Sequence, residues 1–355
     1  MREAGEITML SRVADSLYWM SRYLERAEHT ARLIDVDLQL RLDQSPESGS
    51  GRWARLLEAV RIPVPASGKI EAAELTYVLA LDRTNPSSIV SCVAAARENL
   101  RQVREQCSTE MWEQLNRLYL NINNTEPGEA WLRHSHSFFR AVQEGAHLFQ
   151  GVTDSTMSHG EGWYYIQLGR FVERTDAVAR LIGTHLNRLP QLATGAKGAA
   201  TGMKPEPTSQ EALDAGMDSA ADPAVETEDY LEWVGLLKSC AAFEAYCKAY
   251  TAELRPLWVA EFLLLNPKFP HAVRFSVDMV YTALQAIAEL TERKAELPVR
   301  LAGRLRATLS FSQMDEIVAS GAKAYLDNIG GQCDQAHAAI HQIYFDYPIE
   351  SAMVG

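Results

Sequence analysis

The sequence predicts an all-α protein, a helical bundle built from two tandem, pseudo-symmetric repeats with a disordered insertion in the second. Three observations support this prediction. A charged helical stretch occurs twice, other landmarks recur in the same order along the chain, and strand signals such as alternating β-branched runs or an Asn-Gly hairpin turn are absent. We expect the first repeat to span residues 9–150 and the second 151–347, with the insertion at 189–228.

The repeated stretch is the most informative part of the sequence. It runs from Arg22 to Ile34 and again from Arg170 to Ile182, and both copies read Arg-x-x-Glu-Arg and later Ala-Arg-Leu-Ile. At about 100° per residue, each copy has an apolar stripe and a separate charged arc. The stripes hold Leu17, Met20, Leu24, Ala27, Ala31, Ile34 and Leu38, and Tyr165, Leu168, Val172, Thr175, Ala179, Ile182 and Leu186. The arcs hold Arg22, Glu25, Arg26, His29 and Arg32, and Arg170, Glu173, Arg174, Ala177 and Arg180.

Identical charges at identical places in two otherwise diverged copies favour partial burial of both arcs. A solvated face needs only local pairs such as Glu28 to Arg32, which contribute about 0.2–0.5 kcal/mol. In the interior, removal of one partner of an ion pair costs about 3–5 kcal/mol. Two roles stay open for the arcs: arginines that bind a phosphate or carboxylate through bidentate hydrogen bonds, and an Arg–Glu lattice that ties the two halves together.

Turn-forming residues and apolar periodicity predict where the helices of the first half lie. We expect them at 8–43, from Trp53 onward, and at 71–81, 86–106, 108–121 and 126–150. The fourth helix is predicted to start with Asn85 as its N-cap and Pro86 at its first position.

The second half repeats these landmarks at a larger displacement. Glu25 and Glu173 are 148 residues apart, whereas Trp53 and Trp233 are 180 apart, so 32 residues are inserted between them. The segment 189–228 is rich in Ala, Gly, Pro, Thr and Ser and has almost no aromatic residues. Such a composition buries too little apolar surface to offset its ordering entropy, so we expect disorder there. A last helix is expected over 312–345.

A basic stripe distinguishes the first half from the second. Arg97, Arg101 and Arg104 share one helix face, and 184 residues further along the corresponding positions are occupied by Tyr281, Gln285 and Ala288. Such a stripe most often faces solvent. Its presence in one half is explained by a ligand or partner that contacts the first half.

Composition limits the function classes. The formal net charge of −12 argues against a general nucleic-acid binder and against an anionic membrane surface as partner. Five cysteines without Cys-x-x-Cys spacing fit a reduced cytoplasm, the acidic N-terminus does not resemble a signal peptide, and no apolar run is long enough to span a membrane. We therefore expect a cytoplasmic protein with no membrane contact.

Motifs for catalysis and metal binding are weak. Walker, Gly-x-Gly-x-x-Gly, Gly-x-Ser-x-Gly and His-Glu-x-x-His motifs are absent from the sequence. Glu144-x-x-His147 and the near match Asp334-x-x-His337 have the spacing of a carboxylate-bridged metal pair. With 46 acidic residues and 9 histidines among 355 residues, about one such spacing is expected by chance. We predict no metal site, and the sequence identifies no catalytic residue.

Several spaced motifs resemble one known family. They are Met9–Trp19, Arg22-x-x-Glu25-Arg26, Asn85-Pro86-Ser87-Ser88-Ile89, Gly169-Arg170-x-x-Glu173-Arg174 and Leu263–Pro270. Together they resemble the bacterial alpha-E family, an all-helical family named for its Glu-Arg motif, over nearly the whole chain from Met9. The family pattern has Pro-Arg-Ser where this chain has Pro270-His271-Ala272, so no role of that arginine transfers.

The resemblance implies that this chain acts together with an ATP-dependent ligase. Family members are usually encoded beside, or fused to, a circularly permuted ATP-grasp protein, often with a transglutaminase-like or proteasome-like peptidase. By implication this chain is a partner of a ligase that makes amide or peptide bonds. ATP and magnesium would be held by the ligase, and this chain would need no cofactor of its own. The residues expected to contact substrate or partner are Arg22, Glu25, Arg26, Arg32, Arg97, Arg101, Arg170, Glu173, Arg174 and Arg180.

Three functional hypotheses follow. The chain is a non-catalytic partner of a carboxylate–amine ligase, which binds the ligase and an anionic or peptidic substrate. Alternatively, it is a stand-alone helical enzyme that uses a metal, or an architectural scaffold held together by its Glu–Arg pairs.

Overall fold

Helices build the protein throughout the part of the chain that the computed structural model describes, residues 9–41, 49–62, 71–128, 131, 133–186, 223–250, 253–291 and 296–345. Within these ranges there is no strand, so the predicted all-α fold class is confirmed. The helices are α1 (Ser11–Arg41), α2 (Gly49–Ala59), α3 (Ala72–Ala80), α4 (Ile89–Gln102), α5 (Thr109–Asn123), α6 (Ser135–Thr156), α7 (Glu161–Leu186), α8 (Pro223–Ser239), α9 (Phe243–Tyr250), α10 (Pro256–Leu265), α11 (Val273–Thr291), α12 (Glu296–Phe311), α13 (Met314–Ser320) and α14 (Ala322–Ile340).

The two repeated stretches lie on α1 and α7, which pack against each other. These helices run in the same direction, because their contacts rise together in residue number. The Met9 amide donates to Glu161, the Ser21 hydroxyl donates to the carbonyl of Ile166, and Leu33 and Leu181 line one cavity further along. Helix α1 also contacts α4 and α6, and α7 also contacts α11 and α14. The charged helices thus form the centre of the bundle.

A glycine sets the distance between the two central helices. A Cβ atom placed on Gly169 would lie 2.2 Å from the backbone oxygen of Tyr18. No other residue type fits such a close backbone approach. The neighbouring hydrogen bond from Ser21 Oγ to the Ile166 carbonyl is 2.6 Å long and buried. Backbone contact therefore fixes the helix pair before the longer side chains meet.

The predicted apolar stripes of both helices are in the interior. Every stripe residue of α7 is buried, and the stripe of α1 is buried except for the half-buried Leu38. Two hydrophobic cores result. Helix α7 contributes Phe171 to a core around α1 and α3–α6, and Val178 to a core around α8–α10 and α14.

The tandem repeats remain a prediction, and the cores do not follow the predicted boundary at residue 150. Leu284 of α11 packs in the first core, and Leu33 of α1 packs in the second. Residue 150 itself lies inside α6, which continues to Thr156. Each core therefore draws on both halves of the sequence.

The start of the fourth helix was predicted wrongly. Ser88, not Asn85, is the N-cap, and its hydroxyl accepts a hydrogen bond from the Ser91 amide. Asn85 instead accepts from the Ser87 amide and donates to the carbonyl of Val78. Such a side-chain turn competes with helix initiation. The helix consequently begins three residues after Pro86.

Other element boundaries also differ from the prediction. Helix α4 ends at Gln102 and is followed by a 3₁₀ turn at Arg104–Gln106, and α6 begins at Ser135 rather than near residue 126. The last predicted helix is divided, because Gly321 adopts φ = +97° between α13 and α14. A π-helical segment, His341–Phe345, follows α14.

Helix α8 begins inside the predicted insertion. Its first residue is Pro223, and proline suits the first turn of a helix because its fixed φ matches and its missing N–H has no partner there. Residues 189–222 of the predicted insertion lie outside the described residues. None of the helices in the described ranges combines the length and apolar character needed to cross a bilayer.

Substitution of Gly169 tests the close approach of the central helices. Gly169→Ala should lower the free energy of unfolding by about 3 kcal/mol, because overpacking against a rigid backbone strains both helices. The matched control is Gly330→Ala in α14, where an added Cβ meets nothing within 4 Å. That change should stabilise the protein by up to about 1 kcal/mol, since Ala is the better helix former. Urea denaturation measures both, and equal effects would contradict the close contact.

Candidate functional site

Glu173 on α7 is held by two arginines of α1. Arg22 donates from Nε to Oε2 at 2.8 Å, and Arg26 donates from Nε to Oε1 at 2.6 Å and from Nη2 to Oε2 at 3.0 Å. The Glu173 side chain is only 4% exposed. Burial would raise the pKa of Glu173, but the charges and hydrogen bonds of Arg22 and Arg26 lower it to about 2. Glu173 is thus ionised in the interior.

Glu25 on α1 is held in turn by arginines of α7. Arg174 donates from Nε to Oε1 at 2.5 Å and from Nη2 to Oε2 at 3.0 Å. Arg170 approaches the same carboxylate less closely, with Nε 3.8 Å from Oε2. Gln150 of α6 adds a donor at 3.4 Å, and the second Nη of Arg174 bonds the carbonyl of Pro270. Each central helix therefore supplies the carboxylate for the other helix's arginines.

This arrangement, the Glu–Arg lattice, consists of Arg22, Glu25, Arg26, Arg170, Glu173 and Arg174. It confirms the predicted burial of the charged arcs. Bidentate pairing between a planar guanidinium and a carboxylate fixes orientation as well as distance. The lattice also contains twice as many arginines as glutamates, so it carries an excess of positive charge.

Arg26 and Arg170 are the two most exposed arginines of the lattice. The side chain of Arg26 is 28% exposed and that of Arg170 is 18% exposed. Burial and the neighbouring Arg174 lower the pKa of Arg170 to about 10. Its Nε has no hydrogen-bond partner in the described part of the chain, and it lines a cavity of about 10 Å³ with Gln150 and Gln167. That space suits a single water molecule.

Arg32 and Arg180 extend the arcs by pairing within their own helices. Arg32 binds the buried Glu28, the i,i+4 pair that the sequence predicted, and Arg180 binds Asp176 at 3.0 Å. Arg61 from α2's C-terminal turn also reaches Asp176, at 3.0 Å. These pairs neutralise local charge but do not join α1 to α7.

Arg97 and Arg101 lie apart from the lattice. Helix α4 packs beside α1, but Arg97 faces α5, where its Nε donates to Asn116 and its guanidinium stacks on Tyr119. Arg101 pairs with Glu98 of its own helix in an exposed position. These two arginines therefore form no contact with the lattice, and their expected contact with a substrate or partner remains a prediction.

A tyrosine–histidine contact adds to the site and was missed from the sequence. The Tyr18 hydroxyl and Arg22 Nη1 lie 2.7 Å and 3.1 Å from Nδ1 of His337. Because an arginine can only donate, this nitrogen accepts and the imidazole is neutral. Burial and the charge of Arg22 accordingly lower the pKa of His337 to about 4, and burial raises that of Tyr18 to about 12. The residues are 319 positions apart, so no local motif reveals them.

The structure does not bring together the two sequence motifs with metal-ligand spacing, Glu144-x-x-His147 and Asp334-x-x-His337. Glu144 pairs with Arg140, whereas His147 lies 3.5 Å from Glu28. Asp334 lies 3.7 Å from Arg61, whereas His337 contacts Tyr18 and Arg22. Among the residues that the structure describes, no group of three or more His, Cys, Asp or Glu side chains is arranged to hold a metal ion.

Two further histidines lie near Glu28. His29 is 7% exposed, and in the described ranges its Nε2 has no hydrogen-bond partner. Burial lowers the pKa of His29 to about 4. His271 stands where the resembling family has arginine, and burial together with Arg174 lowers its pKa well below the usual value. Both imidazoles are therefore neutral at pH 7, and no extra positive charge replaces the missing arginine.

The comparisons identify the family. A family model described as Alpha-E, a predicted alpha-helical domain with a conserved ER motif, matches residues 9–345. The chain therefore belongs to the Alpha-E family. The Glu-Arg pairs of the two repeated stretches, Glu25-Arg26 and Glu173-Arg174, both belong to the lattice.

Curated relatives are longer proteins. An uncharacterized protein of Mycobacterium bovis is 26% identical over 191 residues, a match that covers 46% of this chain and 21% of the relative. An uncharacterized protein of Mycobacterium tuberculosis H37Rv is 25% identical over the same coverage. The chain thus spans about a fifth of the length of the curated relatives it matches. No solved structure matches the chain significantly.

Substitution of Glu173 tests the lattice. Its pKa of about 2, against an ordinary value of 4.5, contributes about 3 kcal/mol of stability above pH 4.5, which is lost as the pH falls from 4.5 to 2. Glu173→Gln should lower the free energy of unfolding by about 3 kcal/mol at pH 7 and flatten this acid limb. The control, Glu144→Gln, removes a carboxylate that is 66% exposed and should change stability by less than about 0.5 kcal/mol. Equal effects of the two substitutions would show that the lattice pairs do not hold the helices together.

A histidine substitution tests a second pH window. Because the folded-state pKa of His29 is about 4 against an ordinary 6.5, stability present above pH 6.5 should decline as the pH falls from 6.5 toward 4. His29→Gln should reduce the slope of unfolding free energy against pH in this window, although His271 and His337 retain part of it. His159→Gln, at an exposed histidine stacked on Trp163, should leave the slope unchanged. An unchanged slope in His29→Gln would rule out a buried neutral His29.

Proposed function

We propose that this Alpha-E protein is a non-catalytic partner of an ATP-grasp ligase that joins a carboxylate to an amine. The ligase would hold ATP and magnesium and form an acyl phosphate that the amine attacks. This chain would bind the ligase and position an anionic or peptidic substrate. A transglutaminase-like or proteasome-like peptidase is proposed as a further member of the system, in keeping with the family resemblance.

The observation that carries this proposal is the length of the relatives. In the mycobacterial proteins the matching segment makes up 21% of the chain, so sequence like this one occurs joined to much longer sequence. A module that shares a chain with other segments acts beside them, and an accessory role fits that arrangement.

The contacts of the candidate arginines suggest a different role for each pair. Arg22 and Arg174 spend their donors on glutamates inside the bundle, so we propose them as part of a rigid frame. Arg26 and Arg170 are the most exposed arginines of the lattice and are proposed to face a substrate carboxylate. Arg97 and Arg101, on the surface of α4, are proposed to face the protein partner.

An architectural scaffold is the second candidate, because most lattice donors are already used inside the protein. In that case the Glu–Arg pairs hold the two central helices together and bind nothing else. An ATP-dependent partner and five free cysteines favour the cytoplasm as the location for either function.

Co-purification from the native host tests the proposed partnership. The tagged chain should co-elute with an ATP-grasp protein in near-equal amounts, and the pair should release phosphate from ATP and magnesium faster than the ligase alone when candidate acids and amines are supplied. The control is a tagged unrelated helical protein of similar charge. Elution of the chain by itself, with ligase turnover unaffected by its addition, would favour the scaffold.

A further inference from the structure

A surface groove on the first half combines stacked arginines with exposed leucines. It runs between α5 and α6, has a volume of about 910 Å³, and is lined by Trp112, Asn116, Leu118 and Leu148 among others. Leu120 and Leu148 are 54% and 51% exposed. Exposed apolar side chains grouped along a trough between two helices are typical of a binding surface.

Two arginines outside the lining stack on Trp112, a residue that lines the groove. The Arg97 guanidinium lies over Tyr119 at 4.6 Å and over Trp112 at 5.3 Å, and Arg104 lies over the same Trp112 at 5.2 Å. In the described part of the chain neither arginine forms an ion pair, and the hydrogen bond of Arg97 goes to the neutral Asn116. Stacking restricts these side chains in advance, so less entropy is lost when they bind a carboxylate.

The charges around the groove favour an acidic occupant. Arg117 and Glu113 line it without forming an ion pair in the described ranges, and Glu144 is already paired with Arg140 at 2.8 Å. In the described residues, Arg117 of the lining and the two arginines stacked on Trp112 form no ion pair, and Glu113 is the one lining carboxylate that is also unpaired. This local positive charge is set in a protein of net charge −12, so a carboxylate-rich segment is drawn to this surface rather than to the remainder of the chain.

We propose that the α5–α6 groove binds an acidic amphipathic helix of a partner protein. Leucine-like side chains of that helix would pack between Leu120 and Leu148, and its carboxylates would pair with Arg97 and Arg104. As the docking site of the ligase partner this rests on the proposed function, but the surface chemistry stands apart from the ligase's identity. Nucleic acid fits less well, because the exposed leucines and Glu113 offer nothing to a phosphate backbone.

Fluorescence anisotropy with a synthetic peptide tests the groove. The probe is a labelled 18-residue helix-forming peptide with Leu at i, i+3, i+4 and i+7 spacing and Glu at the polar positions. Binding should saturate, weaken with added salt, and fall at least fivefold in Arg97→Ala/Arg104→Ala and in Leu120→Ser/Leu148→Ser. The matched control is Arg306→Ala, which removes a surface arginine that stacks on Tyr281 and pairs with Asp278 in the other half, and it should bind like the wild type.

Three results would overturn the proposal: no saturable binding, equal binding of the peptide with Lys in place of Glu, and tighter binding of single-stranded DNA of the same length. Thermal melting of each variant separates lost binding from lost folding, and Arg104→Ala, at an exposed residue, provides a single change that leaves the core untouched. If the ligase co-elutes with the double arginine variant as with the wild type, the groove is not the docking site of the ligase, but the proposed partnership is supported. If the peptide binds as expected and no ligase co-elutes, the groove is confirmed as a binding site for acidic helices, and the proposed ligase partnership is rejected.

Discussion

The exchange of glutamates between α1 and α7 is the interaction on which the rest of the structure depends. A buried guanidinium without a carboxylate is costly, so Arg22 and Arg174 require the two helices to lie at one register. Gly169 permits the approach that brings these groups together, since its missing Cβ lets the Tyr18 carbonyl come close. The same register then decides which side chains of the two helices enter each core. Charge pairing and apolar packing thus specify a single arrangement.

The sequence predicted the central helices and the burial of their charges, because a repeated pattern restricts both copies at once. It did not identify the partners, since Glu25 and Arg174 are 149 positions apart and helix periodicity carries no information about other helices. The contact between Tyr18 and His337 was out of reach for the same reason. The predicted helix boundaries were wrong where a short polar side chain competes with the backbone for hydrogen bonds, as at Asn85, or where a glycine interrupts a periodic run, as at Gly321.

Arginine serves two purposes in this chain, and the neighbours of each residue decide which. Within the lattice, guanidinium groups meet carboxylates of another helix and are removed from solvent. On α4 the guanidinium of Arg97 meets aromatic rings and an amide, so its charge stays uncompensated and available. In the sequence, the arginines of the lattice and those of α4 look alike. Only the three-dimensional neighbours separate an arginine that completes the interior from one that remains able to pair with an outside group.

The long separation between lattice partners has a consequence for synthesis. When α1 leaves the ribosome, Arg22 and Arg26 have no carboxylate of α7 to bind, because Glu173 is 151 positions away from Arg22. At roughly 5–20 residues per second, about 8–30 s pass before Glu173 of α7 follows. During that interval the nascent first half keeps its central arginines hydrated and its helix unpaired. Completion of the bundle is therefore a late event in translation.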